Sequence, residues 1–288
     1  MMDEANAFRL DPDAVAHSIV KLPSLPVIVL DLLHSIEDEN ASAEMLSAKV
    51  ASDPALVARL LRVANSSFYG LQRKVSSVSD AIFVLGLGSV RNMALSATLY
   101  ESMNSQIDPA CFNFKKHWRH SMATALCAEA LAVKMKCARD SAFAAGLLHD
   151  IGQLILPICF PKHQEAVLKY CVQFDCSAYV AERALLDADH AAIGRVLTEK
   201  WNFPPTLSEA VGWHHEPENA AGAAPLAGVL HLADCIVHGL DLVDNPSEQV
   251  PRINANCWNQ ANLSWADSQA LFSKVESGLE ALCCELAI

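Results

Sequence analysis

The chain has 288 residues, 52% of them apolar and 19% charged, with 21 basic against 33 acidic side chains and a formal net charge of −12. That length and apolar content suit a folded chain of one large or two smaller domains and exclude a disordered one. The acidic excess excludes a nucleic-acid backbone as the main partner, because such surfaces need clustered Lys and Arg.

The ten cysteines are dispersed and form no C-x₂-C pair, so neither a structural zinc site nor a disulfide framework is expected. The N-terminus MMDEANAFRL lacks the build of a signal peptide, and no run of 18 apolar residues suggests a membrane span. Free thiols in a reducing cytoplasm, with no membrane partner, are the expectation. Strand-like alternation is scarce and Gly and Pro number only 11 and 13, which predicts an all-α fold.

Asp11-Pro12 has the cap-plus-proline chemistry of a helix start. Lys21–Pro26 resets the chain into a second helix reaching about Glu37, and a third covers Glu44–Ala51. Asp53-Pro54 repeats the start signal before Ala55–Asn65, and Asn65–Gly70 reads as a turn. Two helices fit Ser79–Leu85 and Ser89–Ser102 across Gly86-Leu87-Gly88. No metal-ligand spacing occurs up to here, so residues 1–107 read as a helical bundle for packing or partner contact.

Asp108-Pro109 sets the expected boundary of a second domain over 108–288. A long helix over about Cys111–Lys136 carries His117 and His120. Ala142–Leu156, AFAAGLLHDIGQLIL, reads as one apolar helix with Asp140 as its cap and His149-Asp150 set into its buried surface. Helices are expected over Lys162–Phe174, Ser177–Leu186 and His190–Trp201, the last capped by Asp189. Thr206-Leu207-Ser208-Glu209 has the form of a capping box for a helix ending near His214-His215. Ala224–Leu240 is apolar throughout, Asn245–Pro251 is loop-like, and Ser264–Leu286 is a closing amphipathic helix.

A carboxylate in an apolar setting is costly unless a metal ion or a hydrogen-bonding partner compensates it. Asp150 and Asp234 both sit in apolar runs, and His120, His149, His190, His214 and His215 lie on other helices or helix ends. Imidazole and carboxylate without thiolate suit zinc, manganese, iron or nickel. Seven candidates exceed the needs of one tetrahedral ion, so either two divalent metals share the site or some members only orient others. His117, His163, His231 and His238 are read as core histidines.

Gly146-Leu147-Leu148-His149-Asp150-Ile151-Gly152 resembles the signature of the HD superfamily of metal-dependent phosphohydrolases. Leu22-Pro23-Ser24-Leu25-Pro26, Ser52-Asp53-Pro54-Ala55-Leu56, Leu61-Arg62-Val63-Ala64-Asn65-Ser66 and Val90-Arg91-Asn92 resemble the HDOD family, the HD-related output domains of bacterial signalling. The resemblance implies an N-terminal helical bundle followed by an HD-type helical domain, acting in signal transduction through a signalling protein partner or a small phosphorylated ligand. It also implies that His120 is the superfamily's first His, His149 and Asp150 its HD pair, and Asp234 its last Asp. His190, His214 and His215 resemble the further ligands of the HD-GYP phosphodiesterases. The alternative it implies is a metal-dependent phosphohydrolase of cyclic dinucleotides or other phosphoesters, with Asp150 in the catalytic role. Against hydrolysis, Gln153 stands where HD-GYP enzymes carry a phosphate-holding Lys, and no Gly-Tyr-Pro follows His214-His215-Glu216.

Overall fold

The computed structural model describes residues 8–10, 15, 17–18, 25–36, 38, 41–66, 69–105, 107, 112–243 and 249–286. The Asp11-Pro12 and Asp108-Pro109 signals and the Asn245–Pro251 loop lie wholly or partly outside them. Among the described residues every regular element is helical and no strand occurs, as the scarcity of alternating sequence predicts.

Among the described residues, the N-terminal part contains α1 (Val27–His34), α2 (Ala43–Ala51), α3 (Pro54–Ala64), α4 (Val78–Leu85) and α5 (Leu87–Asn104). Asp53 caps α3 as expected, accepting from the backbone N–H groups of Ala55 and Leu56 at 2.9 and 3.2 Å. α4 and α5 meet at Gly86 alone, whose φ of +86° is open to glycine and strained for any other residue. α5 is buried almost continuously from Val90 to Ala97, so it is the core helix of this group. Arg91, on that helix, bonds the Ser35 carbonyl at the end of α1 and pairs with Asp140.

The remaining helices are α6 (Phe114–Lys134), α7 (Arg139–Leu148), α8 (Ile155–Cys159), α9 (Pro161–Phe174), α10 (Ala178–Leu186), α11 (His190–Lys200), α12 (Pro205–Gly212), α13 (Ala224–Leu240), α14 (Ala255–Ala261) and α15 (Trp265–Leu286). α7 packs along α6, and α13 and α15 cover further faces of α6. One contiguous apolar core runs from the first helices through α15. Several helices end on a left-handed Asp or Asn, at Asp175, Asp187, Asp241 and Asn262, residue types that tolerate this conformation.

Three local expectations are corrected. Ala142–Leu156 is not one helix: α7 stops at Leu148, His149-Asp150 turn, Ile151–Leu154 form a 3-10 turn, and α8 resumes at Ile155. Apolar periodicity cannot register this break, because the residues on both sides stay buried. Asp140 does not cap α7; Ala138 holds that position, and the Asp140 carboxylate is taken by Arg91. Thr206 does not open α12, which starts at Pro205, and Glu209 instead accepts from the Gly222 backbone N–H at 3.2 Å. The segment Arg139–Cys159 has the length and apolarity of a membrane span, with 83% of that window buried inside the protein. It is core.

Candidate metal centre

Two glycines in the GLLHDIG segment decide where His149 and Asp150 stand. A Cβ on Gly146 would lie 2.6 Å from the Ala125 Cα, so glycine lets α7 press against α6, the helix of His120. A Cβ on Gly152 would lie 2.0 Å from the His190 carbonyl oxygen, so glycine lets the 3-10 turn press against the start of α11. Both sites need the missing side chain for close approach rather than for an unusual φ. The break at His149-Asp150 then lets two neighbouring residues face the space among α6, α11, α12 and α13.

All seven residues singled out from the sequence meet in that space. His120 Nε2 lies 3.0 Å from Asp234 Oδ1 and 3.2 Å from His149 Nε2. Asp150 Oδ2 is 3.4 Å from His149 Nε2, whereas its Oδ1 is 3.2 Å from His190 Nε2 and 3.7 Å from His214 Nε2. His215 Nε2 completes that side, 2.9 Å from His190 Nε2. Asp150 therefore stands between two halves: His120, His149 and Asp234 on one oxygen, His190, His214 and His215 on the other. An eighth residue, His238, reaches Asp234 Oδ1 at 3.2 Å. Its place four residues after Asp234 on α13 was visible, but a lone His on an apolar helix carries no signal of its own.

The other ring nitrogens show how the imidazoles are aimed. His149 Nδ1 donates to the Gly146 carbonyl at 2.8 Å and His214 Nδ1 to the Val211 carbonyl at 2.7 Å. His190 Nδ1 donates to Glu182 Oε2 at 2.7 Å, and the same oxygen accepts the His190 backbone N–H at 2.7 Å. With Nδ1 engaged by these acceptors, each ring turns its Nε2 toward the shared space, the arrangement that orients metal-bound imidazole. Sequence reasoning passed over Glu182 because it lies on α10, whose pattern is that of an ordinary amphipathic helix. A buried Glu eight residues before a His is no recognisable spacing.

His231 is core, as expected: its Nδ1 donates to the His214 carbonyl at 2.8 Å and its Nε2 accepts the Asn254 N–H at 3.0 Å, which anchors α14. His117 is buried beside Phe112 and Phe114, and His163 packs edge-on to Phe160. Gln153 donates to Asp150 Oδ2 at 2.7 Å, so it holds the central carboxylate from the side where a Lys was absent.

The donor set fits divalent metal. Burial alone would raise both carboxyls, yet His149, His190 and His120 hold Asp150 well below the usual range. His238, His120 and His149 do the same for Asp234. Burial pushes the His214 imidazole down to about 3, which keeps it neutral, and its Nε2 has no hydrogen-bond partner. A buried ring nitrogen without a partner is an anomaly that an ion would remove. Ring nitrogens facing each other at 2.9 and 3.2 Å also have the separation of two ligands on one ion with bonds of about 2.1 Å. The nearby thiols do not compete, since burial raises Cys127 and Cys235 and leaves them protonated.

The HDOD domain profile matches residues 22–217, more than half of the chain. The chain belongs to the HDOD family. Asp234 and His238, on α13, lie beyond the matched segment. Among solved structures, this HDOD chain resembles a candidate phosphohydrolase from Shewanella amazonensis SB2B at 26% identity and a TM-score of 0.73, covering 95% of this chain and 98% of that one. It shares its fold with an HDOD domain protein of unknown function from Geobacter sulfurreducens, at 21% identity and a TM-score of 0.78 over 96% and 98% of the two chains. A curated relative, an uncharacterized protein of Treponema pallidum (strain Nichols), is 26% identical over 83% of this HDOD chain, which spans only 46% of that relative's length.

Proposed function

We propose that this HDOD chain is a bacterial signal-transduction module that holds divalent metal in the His/Asp cluster and acts through a partner protein or small ligand. The observation that carries the metal reading is the orphaned Nε2 of fully buried His214, facing a carboxylate with both oxygens already turned toward imidazoles. His120, His149 and Asp234 would hold one ion, and His190, His214 and His215 a second, with Asp150 shared between them. Iron, manganese, zinc and nickel all suit this donor set. The module reading draws on Gln153, which stands beside Asp150 and brings no positive charge to hold an anion.

Metal-dependent phosphohydrolysis is the second reading. It is favoured by a groove of about 500 Å³ beside His215, where Arg183 and Arg195 stand, and by the likeness to the Shewanella chain. A divalent ion would supply Lewis-acid activation of water and of a phosphoryl oxygen. Here Arg183 is tied to Tyr179 and Glu216 at 2.7 and 2.6 Å, and Arg195 to Glu199 at 2.8 Å. Each guanidinium is thus paired with a glutamate, which offsets its charge toward a phosphate, while its remaining N–H groups stay open.

The deciding experiment is elemental analysis of chain purified without chelator, followed by assays of cyclic dinucleotides and simple phosphoesters with added manganese or iron. Stoichiometric metal with no turnover supports the module. Turnover that Asp150→Ala abolishes supports the enzyme, and failure to take up any metal after reconstitution removes both readings.

A further inference from the structure

A second cavity, of about 650 Å³, lies between α3 and α5 on one side and α6, α7 and α15 on the other. It shares no lining residue with the His/Asp cluster. Its volume falls within the range of small-ligand sites, roughly 300–1,000 Å³.

At its inner wall stands Asn92, the last residue of the Val90-Arg91-Asn92 motif. The side chain is 4% exposed, and neither its Nδ2 nor its Oδ1 has a hydrogen-bond partner. Arg91 beside it bonds Ser35 and Asp140 while its Nε is unpartnered, and Asn65 bonds Leu61 and Val75; Asn92 differs in having both of its polar functions open. A buried amide with both functions open is costly to the protein alone. It makes sense as half of a recognition pair.

The chemistry of the lining names the other half. A carboxamide offers one donor and one acceptor side by side, which matches the paired acceptor and donor on a purine edge, as in Asn contacts to adenine N6 and N7. Met93, Met122 and Phe143 give the cavity apolar surface for the faces of a flat ring. Arg139 and Lys274 stand on its exposed side, with Glu129 bonded to Arg139 at 3.3 Å, so the opening carries one net positive charge. That charge suits a phosphate.

We propose that this cavity binds a purine mononucleotide, the base edge on Asn92 and the phosphate at Arg139 and Lys274. The site is independent of the metal reading and is tested on chain treated with chelator, so that nucleotide held through metal is excluded.

The test is calorimetric titration of the full chain with AMP, GMP, adenosine and inorganic phosphate. AMP binds saturably and adenosine about tenfold more weakly for want of the charged contact. Asn92→Leu weakens AMP by about tenfold or more, while its melting temperature is unchanged or higher because the amide has no partner in the protein. Lys274→Ala, on the exposed rim, weakens AMP and leaves adenosine as it was; it decides the matter should Asn92→Leu fail to fold. GMP binding with the same Asn92 and Lys274 dependence supports the same site. No binding of either nucleotide, affinity for AMP equal in Asn92→Leu and the native chain, or phosphate alone binding as tightly as AMP would overturn the proposal.

Discussion

Glu182→Gln tests whether the cluster is a metal centre or a satisfied polar core, because it alters no proposed ligand. Glu182 is 2% exposed, and one of its oxygens accepts both the backbone N–H and the Nδ1–H of His190, each at 2.7 Å. Glutamine keeps the shape and removes the charge. A hydrogen bond to a charged group contributes about 1.5–3 kcal/mol and a neutral one about 0.5–1.5, so each of the two bonds weakens by roughly 1 kcal/mol or more. Loss of a carboxylate that orients a metal-bound imidazole lowers metal affinity about 10–100-fold, or roughly 1.4–2.8 kcal/mol. The assay is competition for manganese against a chromogenic chelator, run beside thermal melts of the metal-free proteins. Weaker manganese binding by one to two orders of magnitude is expected, with a modest loss in the metal-free melt. If metal affinity holds while only the melt falls, Glu182 braces the fold and does not aim His190 at an ion.

Removal and return of metal gives a second test: saturating the chelated chain to about 100 times Kd stabilises it by about 2.7 kcal/mol, seen as a rise in Tm of about 5 °C or more. Asp150→Ala should abolish that rise. Gly152→Ala forces a methyl against the His190 carbonyl and should cost about 1–3 kcal/mol in denaturant unfolding; an unperturbed midpoint would show that the 3-10 turn and α11 are free to part. Asp140→Ala leaves the buried Arg91 guanidinium without its carboxylate and should cost about 3 kcal/mol, read in the same unfolding experiment. Asp267 is held down to about 2 by Lys134 and by Ser264. A carboxyl lowered in the folded state contributes stability that is complete above its ordinary pKa of about 4 and is lost as pH falls toward 2. Tm should therefore drop across that interval, and Asp267→Asn should flatten the drop.

The helical class and most helix positions were legible because apolar stripes recur at helical spacing and capping residues mark the starts, as at Asp53 and Asp189. The convergence of His120, His149, Asp150, His190, His214, His215 and Asp234 was legible because acids and imidazoles in apolar runs are rare. What stayed hidden depends on through-space contact. The interruption after Leu148 follows from how closely Gly146 and Gly152 let α6 and α11 approach, and no periodicity encodes that. Glu182 and His238 acquire meaning only beside His190 and Asp234. Asp140 and Thr206 looked like caps because the local pattern fits, yet Arg91 and Pro205 decide their surroundings. α14 was missed since its seven residues, ANCWNQA, have no apolar stripe and its start is set by Asn254 beneath His231.

α7 has Arg91 gripping its first turn at Asp140 and His149 at its far end. Ten residues of helix make a rod of about 15 Å that resists compression along its axis through its ladder of backbone hydrogen bonds. Arg91 also bonds the end of α1, so a single guanidinium ties α1, α5 and α7 together at the end of that rod opposite His149. The placement of the HD pair along α7 is thus measured off from a three-helix knot on the N-terminal side of the core.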